Sequence, residues 1–231
     1  MNQQPSVSVL DIYENEAKNY DKFGQESNVD QYFNLPSFQK YFKSLYTSNP
    51  RILELGCGTG RIIEYFIQNG VQIDHLAGLD ISPEMLAIAR KKLPNVEFIE
   101  GNASNITLPS NKYNLITSTM VFHHLDDKEL KKTFDNAYTW LKKEGFLFYI
   151  TSHPLNVIEG KVDKYETKGW LDRKTPWGSI MPHFNRTISD FINLTVNAGF
   201  QIKIVEETVK KESKRKTDKS FPSRLIVLAQ K

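Results

Sequence analysis

The sequence predicts an α/β fold with a doubly wound, mostly parallel sheet of seven strands whose last strand is antiparallel. Three observations support this prediction. Strand-like apolar runs alternate with helical patterns over residues 51–151, and such alternation builds right-handed βαβ units. A glycine-rich loop follows the first strand. The runs 200–205 and 224–229 end the chain as two strands joined by a polar segment, which is typical of a hairpin.

Two helices are predicted before the sheet. The first covers residues 9–23, where Tyr13, Ala17 and Tyr20 have helical spacing. The second runs from Ser37 to Leu45, after a loop over 21–30. We expect residues 1–49 to form an N-terminal helical cap on a main domain of residues 50–231.

The glycine loop lies in the stretch ILELGCGTGR, residues 52–61. Its glycines permit positive φ and a close approach of ligand to backbone. The spacing G-x-G-x-G differs from the dinucleotide fingerprint G-x-G-x-x-G. Glu54 adds a carboxylate at the strand end, which favours a cationic ligand over a pyrophosphate.

The rest of the sheet domain is predicted from similar signals. A helix follows Arg61 and ends near Asn69-Gly70. Ser82-Pro83-Glu84 opens another helix, with Ser as N-cap and Pro in the first turn. Asp126 or Asp127 caps a third. The intervening strands are predicted at 75–80, 96–100, 113–119 and 145–151.

Residues 152–184 interrupt the alternation before the last helix, 187–198. This insertion is rich in Pro, Gly and aromatic residues and lacks clear periodicity, so we expect an ordered, lid-like segment with a functional role. The basic run 210–219 contains Glu212 and Asp218, and we interpret it as a solvated hairpin tip.

Composition limits the alternatives. The chain has 231 residues, a formal charge of +3 and one cysteine, Cys57, so no internal disulfide framework is possible. Its beginning lacks the features of a secretion signal, and no run approaches the length of a membrane span. We expect a cytoplasmic protein with no membrane or nucleic-acid partner and no metal site. The sequence does not indicate an oligomeric state.

Several stretches together resemble the class I S-adenosylmethionine-dependent methyltransferases, in particular the small-molecule members. They are ILELGCGTGR, LAGLDISPEMLAIAR, FIEGNAS, YNLITSTMVFHHLDD and LKKEGFLFYI, which follow one another over about residues 51–151. The end of the chain, HFNRTISDFINLTVNAGFQI with its hairpin, is also similar. The resemblance implies a Rossmann-like fold and S-adenosyl-L-methionine as cofactor.

The resemblance also implies a set of cofactor-binding residues. Asp80 would accept hydrogen bonds from the ribose hydroxyls, and the glycine loop with Glu54 would hold the methionine moiety. Asn102 stands where the family often has Asp, which alters one contact without removing the site. Tyr20 would cover the cofactor, although a packing role is an alternative. The complete predicted set is Tyr20, Glu54, Gly56, Cys57, Gly58, Gly60, Asp80, Ile81, Met85, Asn102, Ala103, Ser104, Thr119 and His124.

Methyl transfer depends mainly on alignment of the acceptor and exclusion of water. A base is needed only where the acceptor holds its proton, and His123 and His153 are the predicted catalytic candidates. His124 is as well suited to a hydrogen bond with the backbone as to a contact with the substrate. The predicted acceptor-binding residues are Tyr13, Trp170, Arg173, Trp177 and Arg186. Alternatively, the tryptophans anchor a lid and Arg186 binds the preceding loop.

The leading interpretation is methyl transfer to oxygen, nitrogen or carbon of a small-molecule acceptor. The first alternative, an RNA or protein methyltransferase, lacks support from an added nucleic-acid module or a sustained basic face. The second, a non-catalytic cofactor-binding scaffold, is disfavoured by the intact glycines and Asp80.

Overall fold

The computed structural model describes residues 7–27, 34–45, 49–175, 178–208 and 221–231. Nine strands are found in these ranges, at β1 Ile52–Leu55, β2 Leu76–Asp80, β3 Glu97–Glu100, β4 Tyr113–Thr119, β5 Leu141–Ser152, β6 Gly169–Lys174, β7 Ile180–Asn185, β8 Gln201–Thr208 and β9 Arg224–Gln230. Seven of them form one sheet in the order β3-β2-β1-β4-β5-β9-β8, and β6 pairs with β7 separately.

The predicted fold class is confirmed. Strands β1 to β5 pair in parallel, and β9 is antiparallel to both β5 and β8. Strands β2 and β3 lie on one side of β1, and β4 and β5 lie on the other, so the strand order reverses between β1 and β4. In open α/β sheets, ligands bind at the carboxyl ends of the strands beside such a reversal.

Helices cover both faces of the sheet. The α-helices of the described residues are α1 Val9–Ser27, α2 Leu35–Leu45, α3 Arg61–Gln68, α4 Pro83–Lys92, α5 Asp127–Trp140, α6 Pro154–Val157 and α7 Ile188–Asn197. One apolar core contains side chains of α2, α3 and α4. A second contains side chains of α5 and α7. Because both faces are packed, the central strands β1 and β4 are buried along most of their length instead of alternating between buried and exposed residues.

Local signals set most of the helix starts. Ser82 accepts a hydrogen bond from the Met85 amide, as expected of an N-cap. Asp126 and Glu129 form a capping box at the start of α5, and Thr187 and Asp190 form another at the start of α7.

The structure differs from the expectations at three places. Helix α1 continues to Ser27, through residues expected to begin a loop. Strand β5 begins at Leu141, four residues earlier than expected, because Leu141 pairs with Tyr113 across an irregularity in the ladder. The insertion 152–184 is more regular than expected, since it contains α6 and the hairpin β6–β7. The predicted tip at 210–219 lies outside the described residues.

Within the part of the chain that the structure describes, no helix has both the length and the apolar character needed to cross a membrane.

Candidate functional site

A cavity of about 510 Å³ opens where the carboxyl ends of β1, β2 and β4 meet. Helix α1 and Trp170 of β6 also line it. The cavity brings together twelve of the predicted site residues, which are Tyr13, Tyr20, Gly56, Gly58, Asp80, Ile81, Met85, Asn102, Ala103, Thr119, His124 and Trp170. A volume of this size is within the usual range for small-molecule sites.

A smaller cavity of about 40 Å³ adjoins the first. It is lined by the predicted residues Glu54 and Cys57. Tyr20, Gly56, Gly58 and Thr119 line both cavities. The glycine loop therefore separates a large compartment from a narrow polar one.

The backbone of the glycine loop is held by β2. The amides of Gly56 and Cys57 donate to the Leu79 carbonyl at 2.7 and 3.1 Å. Gly56 has φ 65°, and a Cβ there would lie 2.2 Å from a Val121 methyl carbon. Gly58 has φ 52°, and no atom of the described residues lies within 4 Å of the position that a Cβ would take there. Open space beside Gly58 gives a ligand direct access to the backbone.

Asp80 is oriented by two backbone amides. Its carboxylate accepts from the Gly58 amide at 2.7 Å and from the Ser82 amide at 2.9 Å. Desolvation raises the pKa of Asp80, while these backbone bonds act in the opposite direction without cancelling the rise. Each carboxylate oxygen accepts at more than one position, so the group retains acceptor capacity for the cavity that it lines.

Two polar groups in the narrow cavity suit a ligand with hydrogen-bonding ends. Glu54 is 1% exposed and accepts a hydrogen bond from the Thr117 hydroxyl. The hydroxyl oxygen of Thr119 is buried and has no hydrogen-bond partner among the described residues. Because an unsatisfied buried hydroxyl is costly, a bound ligand with polar groups would complement this site.

Cys57 is not suited to nucleophilic chemistry. Burial raises the pKa of its thiol well above the usual value, and the nearby charges of Asp80 and Glu54 raise it further. The thiolate is the reactive form, so the protonated thiol acts as a small side chain of the loop.

Helix α1 is attached directly to the glycine-loop region. The Thr59 hydroxyl and the Lys92 ammonium donate to Asp21 at 2.6 and 2.7 Å. Arg61 donates to the Tyr20 hydroxyl at 2.8 Å and lies over the Tyr20 ring. These contacts place Tyr20 over both cavities.

The opposite part of the cavity is aromatic. The Tyr13 ring packs edge-on against Tyr20 and His124, with centroids 5.6 and 5.8 Å apart. His124 Nδ1 lies 2.9 Å from the Pro182 carbonyl. Since a carbonyl only accepts, Nδ1 carries the proton, and Nε2 of the neutral ring accepts from the Tyr13 hydroxyl at 3.2 Å. Burial lowers the pKa of His124 to about 4.

Two further histidines lie behind His124. His123 is 2% exposed, and its ring stacks on that of His183 with centroids 4.5 Å apart. Neither lines the cavity. The sequence indicated the pair 123–124, but nothing in it placed His183 beside them, since that contact depends on the docking of β7 against the turn Phe122–His124.

Other predicted residues are located away from the cavity. His153 caps α6 by accepting from the Leu155 amide at 3.0 Å, and its Nε2 lies 2.6 Å from Glu207. Arg173 binds the Val157 carbonyl and Glu159. These contacts give His153 and Arg173 structural roles outside the cavity. Gly60 and Ser104 support the glycine loop and the 101–104 loop without lining the cavity, and Trp177 lies outside the described residues.

Arg186 is a structural residue in the described part of the chain. It is 1% exposed and donates to Asp127 at 3.0 Å and to the Phe122 carbonyl at 2.9 Å. It also donates to the Leu125 carbonyl. These partners belong to the loop after β4, whereas the alternative expectation placed them in the loop that precedes Arg186. Arg186 does not line either cavity.

Met120 was missed by the sequence analysis. It lines both cavities immediately after β4 and has φ 61°, a backbone conformation that is uncommon for residues other than glycine and is found repeatedly at functional sites. The indication in the sequence was that Met120 directly follows Thr119, a predicted site residue.

Comparison with known proteins gives a consistent picture. The methyltransferase domain family matches residues 52–145. An uncharacterized methyltransferase of Anoxybacillus flavithermus is 30% identical over 71% of this chain and 77% of its own length. A demethylmenaquinone methyltransferase of Chlorobaculum tepidum is 29% identical over 67% of this chain and 64% of its own length.

A crystal structure of an S-adenosylmethionine-dependent methyltransferase from Mesorhizobium loti has the same fold. Its TM-score is 0.68 at 24% identity, over 84% of this chain and 97% of that one. Together with the seven-stranded sheet and the glycine loop, these matches place the chain in a family. It belongs to the class I S-adenosylmethionine-dependent methyltransferases.

Proposed function

We propose that the protein transfers a methyl group from S-adenosyl-L-methionine to a small-molecule acceptor bound in the same cavity. The observation that carries this proposal is that one cavity of small-molecule size has both the strand ends and a group of aromatic side chains in its lining. Tyr13 and Tyr20 of α1 and Trp170 of β6 are these aromatic residues, so a small acceptor has a place to bind beside the proposed cofactor-binding residues.

The glycine loop and strand ends form the cofactor side of the cavity. Asp80 would bind the ribose hydroxyls, and Ile81, Met85, Asn102 and Ala103 would surround the base. The narrow cavity with Glu54, Thr119 and the loop backbone would hold the charged methionine end. When bound, the cofactor supplies an electrophilic methyl group for in-line displacement.

Helix α1, the turn Phe122–His124 and Trp170 of β6 form the acceptor side. From the predicted 1–49 cap we assign α1, and from the 152–184 insertion Trp170, to this side as a roof that excludes water. Since alignment and water exclusion supply much of the rate of such a reaction, the roof is functionally important.

His124 is the one histidine in the cavity lining among the described residues, and the carboxylates of Asp126 and Glu129 line the same cavity while forming the capping box of α5. His124 Nε2 is oriented toward Tyr13, but a pKa of about 4 makes it a weak proton acceptor near neutral pH. His123 does not line the cavity, and His153 caps α6. The proposed role of His124 is therefore to orient groups rather than to remove a proton from the acceptor.

Calorimetric titration with S-adenosylmethionine tests the cofactor side. Asp80→Ala should weaken binding at least tenfold, or ~1.4 kcal/mol. The control is Asp135→Ala, which removes an acid of α5 whose contact is with Lys131. Equal affinities in all three proteins would contradict the assignment of Asp80.

The acceptor class is tested separately with methyl-labelled cofactor and a cell extract. The label should appear in the low-molecular-weight fraction. Label found only in protein or RNA would reject a small-molecule acceptor, and binding without any labelling would favour the scaffold alternative.

A further inference from the structure

We propose that His123, His124 and His183 form a binding site for a divalent transition-metal ion at the edge of the cavity. One ring nitrogen of each residue can be chosen so that all three lie within 4.8 Å of one another. Two of the residues are buried and the third is half-buried. Three convergent imidazoles with one open position are typical of sites for zinc and related ions.

The hydrogen bonds around two of the rings set the tautomer that a metal requires. His124 Nδ1 lies 2.9 Å from the Pro182 carbonyl, and His183 Nδ1 lies 3.1 Å from the Met181 carbonyl. A carbonyl accepts only, so Nδ1 is protonated in both rings and Nε2 carries the lone pair. In His124 this lone pair accepts from the Tyr13 hydroxyl, a hydrogen bond that a metal ion would replace. Metal-binding histidines usually have this arrangement, with the second nitrogen donating to a carbonyl.

His123 can adopt the same tautomer. Its Nδ1 lies 3.2 Å from the Thr151 hydroxyl oxygen, which can accept a hydrogen bond from it. The Ser152 amide donates a long hydrogen bond to the same nitrogen at 3.4 Å. This bond is lost in the tautomer with a protonated Nδ1.

The ligand atoms must move closer for the ion to bind. Ligands at about 2.0–2.1 Å from a tetrahedral zinc ion are roughly 3.4 Å apart, compared with up to 4.8 Å here. The rings of His123 and His183 are nearly parallel, at 16°, and parallel rings do not direct their lone pairs at one point. His183, the half-buried member, is the ring that must tilt.

The open coordination position would face the acceptor side of the cavity. The Tyr13 hydroxyl lies 3.2 Å from His124 Nε2, which is close to the spacing of neighbouring ligands in a tetrahedral site. The larger cavity is lined by Asp80, Asp126 and Glu129 but by no lysine or arginine among the described residues. A bound ion would therefore provide the positive charge needed to attract an anionic or polar oxygen of an acceptor or of water.

The test is titration of the purified full-length, metal-free protein with Co²⁺ and Zn²⁺, followed by absorption spectroscopy for Co²⁺ and metal analysis after dialysis for Zn²⁺. We expect one bound equivalent with the absorption of a four-coordinate cobalt site. His183→Asn should weaken binding at least tenfold. His75→Asn is the matched control, since His75 precedes β2 at the opposite end of the strand from the cavity and contacts Asn49.

Calorimetry with S-adenosylmethionine shows that the His183→Asn protein is folded, because His183 does not line either cavity. Absence of a stoichiometric ion in the wild-type protein, or equal metal affinity in the His183→Asn and His75→Asn proteins, would overturn the proposal. The readout is metal binding, so it does not depend on finding the methyl acceptor.

Discussion

The cofactor side and the acceptor side of the cavity use different parts of the chain. On the cofactor side, backbone amides of Gly56, Gly58 and Ser82 make the decisive bonds, within a stretch that runs from β1 to the start of α4. On the acceptor side, side chains far apart in sequence meet, as Tyr13 and His124 do across 111 positions. The difference indicates that the cofactor side depends on local backbone geometry, whereas the acceptor side depends on tertiary packing.

The largest expected effect is on the packing of the acceptor side. Arg186→Ala should lower the free energy of unfolding by about 3 kcal/mol, because it leaves the Phe122 and Leu125 carbonyls and the Asp127 carboxylate without their buried donor. Urea denaturation measures this change.

Arg173→Ala is the control for Arg186→Ala. Arg173 donates to a single carbonyl and pairs with the exposed Glu159, so the expected loss is no more than about 1 kcal/mol. Equal losses for the two variants would show that the buried arginine does not fasten the loop after β4.

An intermediate effect is expected on the cofactor side. Gly58→Ala places a methyl group in the open space of the cavity and should weaken S-adenosylmethionine binding at least tenfold. The positive φ adds a stability loss of about 1 kcal/mol. Gly70→Ala is a matched control, because Gly70 has φ 87° and open space around it but lies outside both cavities.

The two glycine variants should therefore lose similar stability in denaturation, and only Gly58→Ala should lose affinity in calorimetry. Unchanged affinity in Gly58→Ala would show that the ligand does not approach the loop backbone there.

The smallest expected effect concerns the attachment of α1 to the cofactor side. Desolvation raises the pKa of Asp21, but the bonds from Lys92 and Thr59 outweigh it and hold the pKa below the usual value. A carboxyl group whose pKa is lower in the folded state than its unfolded value of about 3.9 stabilises the fold at pH values above that unfolded pKa. This contribution is lost as the pH falls through the folded-state pKa.

At pH 7, Asp21→Asn should reduce the free energy of unfolding by up to about 1 kcal/mol, and the difference should shrink below about pH 4. Denaturation at several pH values measures it, with the exposed Asp74→Asn as control. A difference that stays constant with pH would contradict an ionic origin.

The cofactor side was largely predictable because its signals are local. The spacing of Gly56, Gly58 and Gly60, the acid at the end of β2 and the cap at Ser82 each depend on a few neighbouring residues. The acceptor side was less predictable. Residues 169–174 read GWLDRK, a charged sequence without a strand pattern, and the hairpin forms because its partner β7 packs beside the turn Phe122–His124.

Dependence on tertiary packing also explains why the roles predicted for His153 and Arg186 differ from the contacts that they make. His153 and Arg186 were selected for their chemistry and their position near strand or helix ends, but their partners Glu207 and Asp127 are 54 and 59 positions away. Periodicity and spacing carry no information about contacts at that distance. Only the fold determines whether such a side chain faces a cavity or a neighbouring element.

Helix α1 contacts both sides of the cavity, through Asp21 and Tyr20 toward the glycine loop and through Tyr13 toward His124. A ligand on either side that favours the docked position of this helix also favours the position that the other ligand needs. By thermodynamic linkage, cofactor and acceptor then increase each other's affinity by the same factor. If both proposed ligands bind as described, we expect the helix to make their binding cooperative within a single chain.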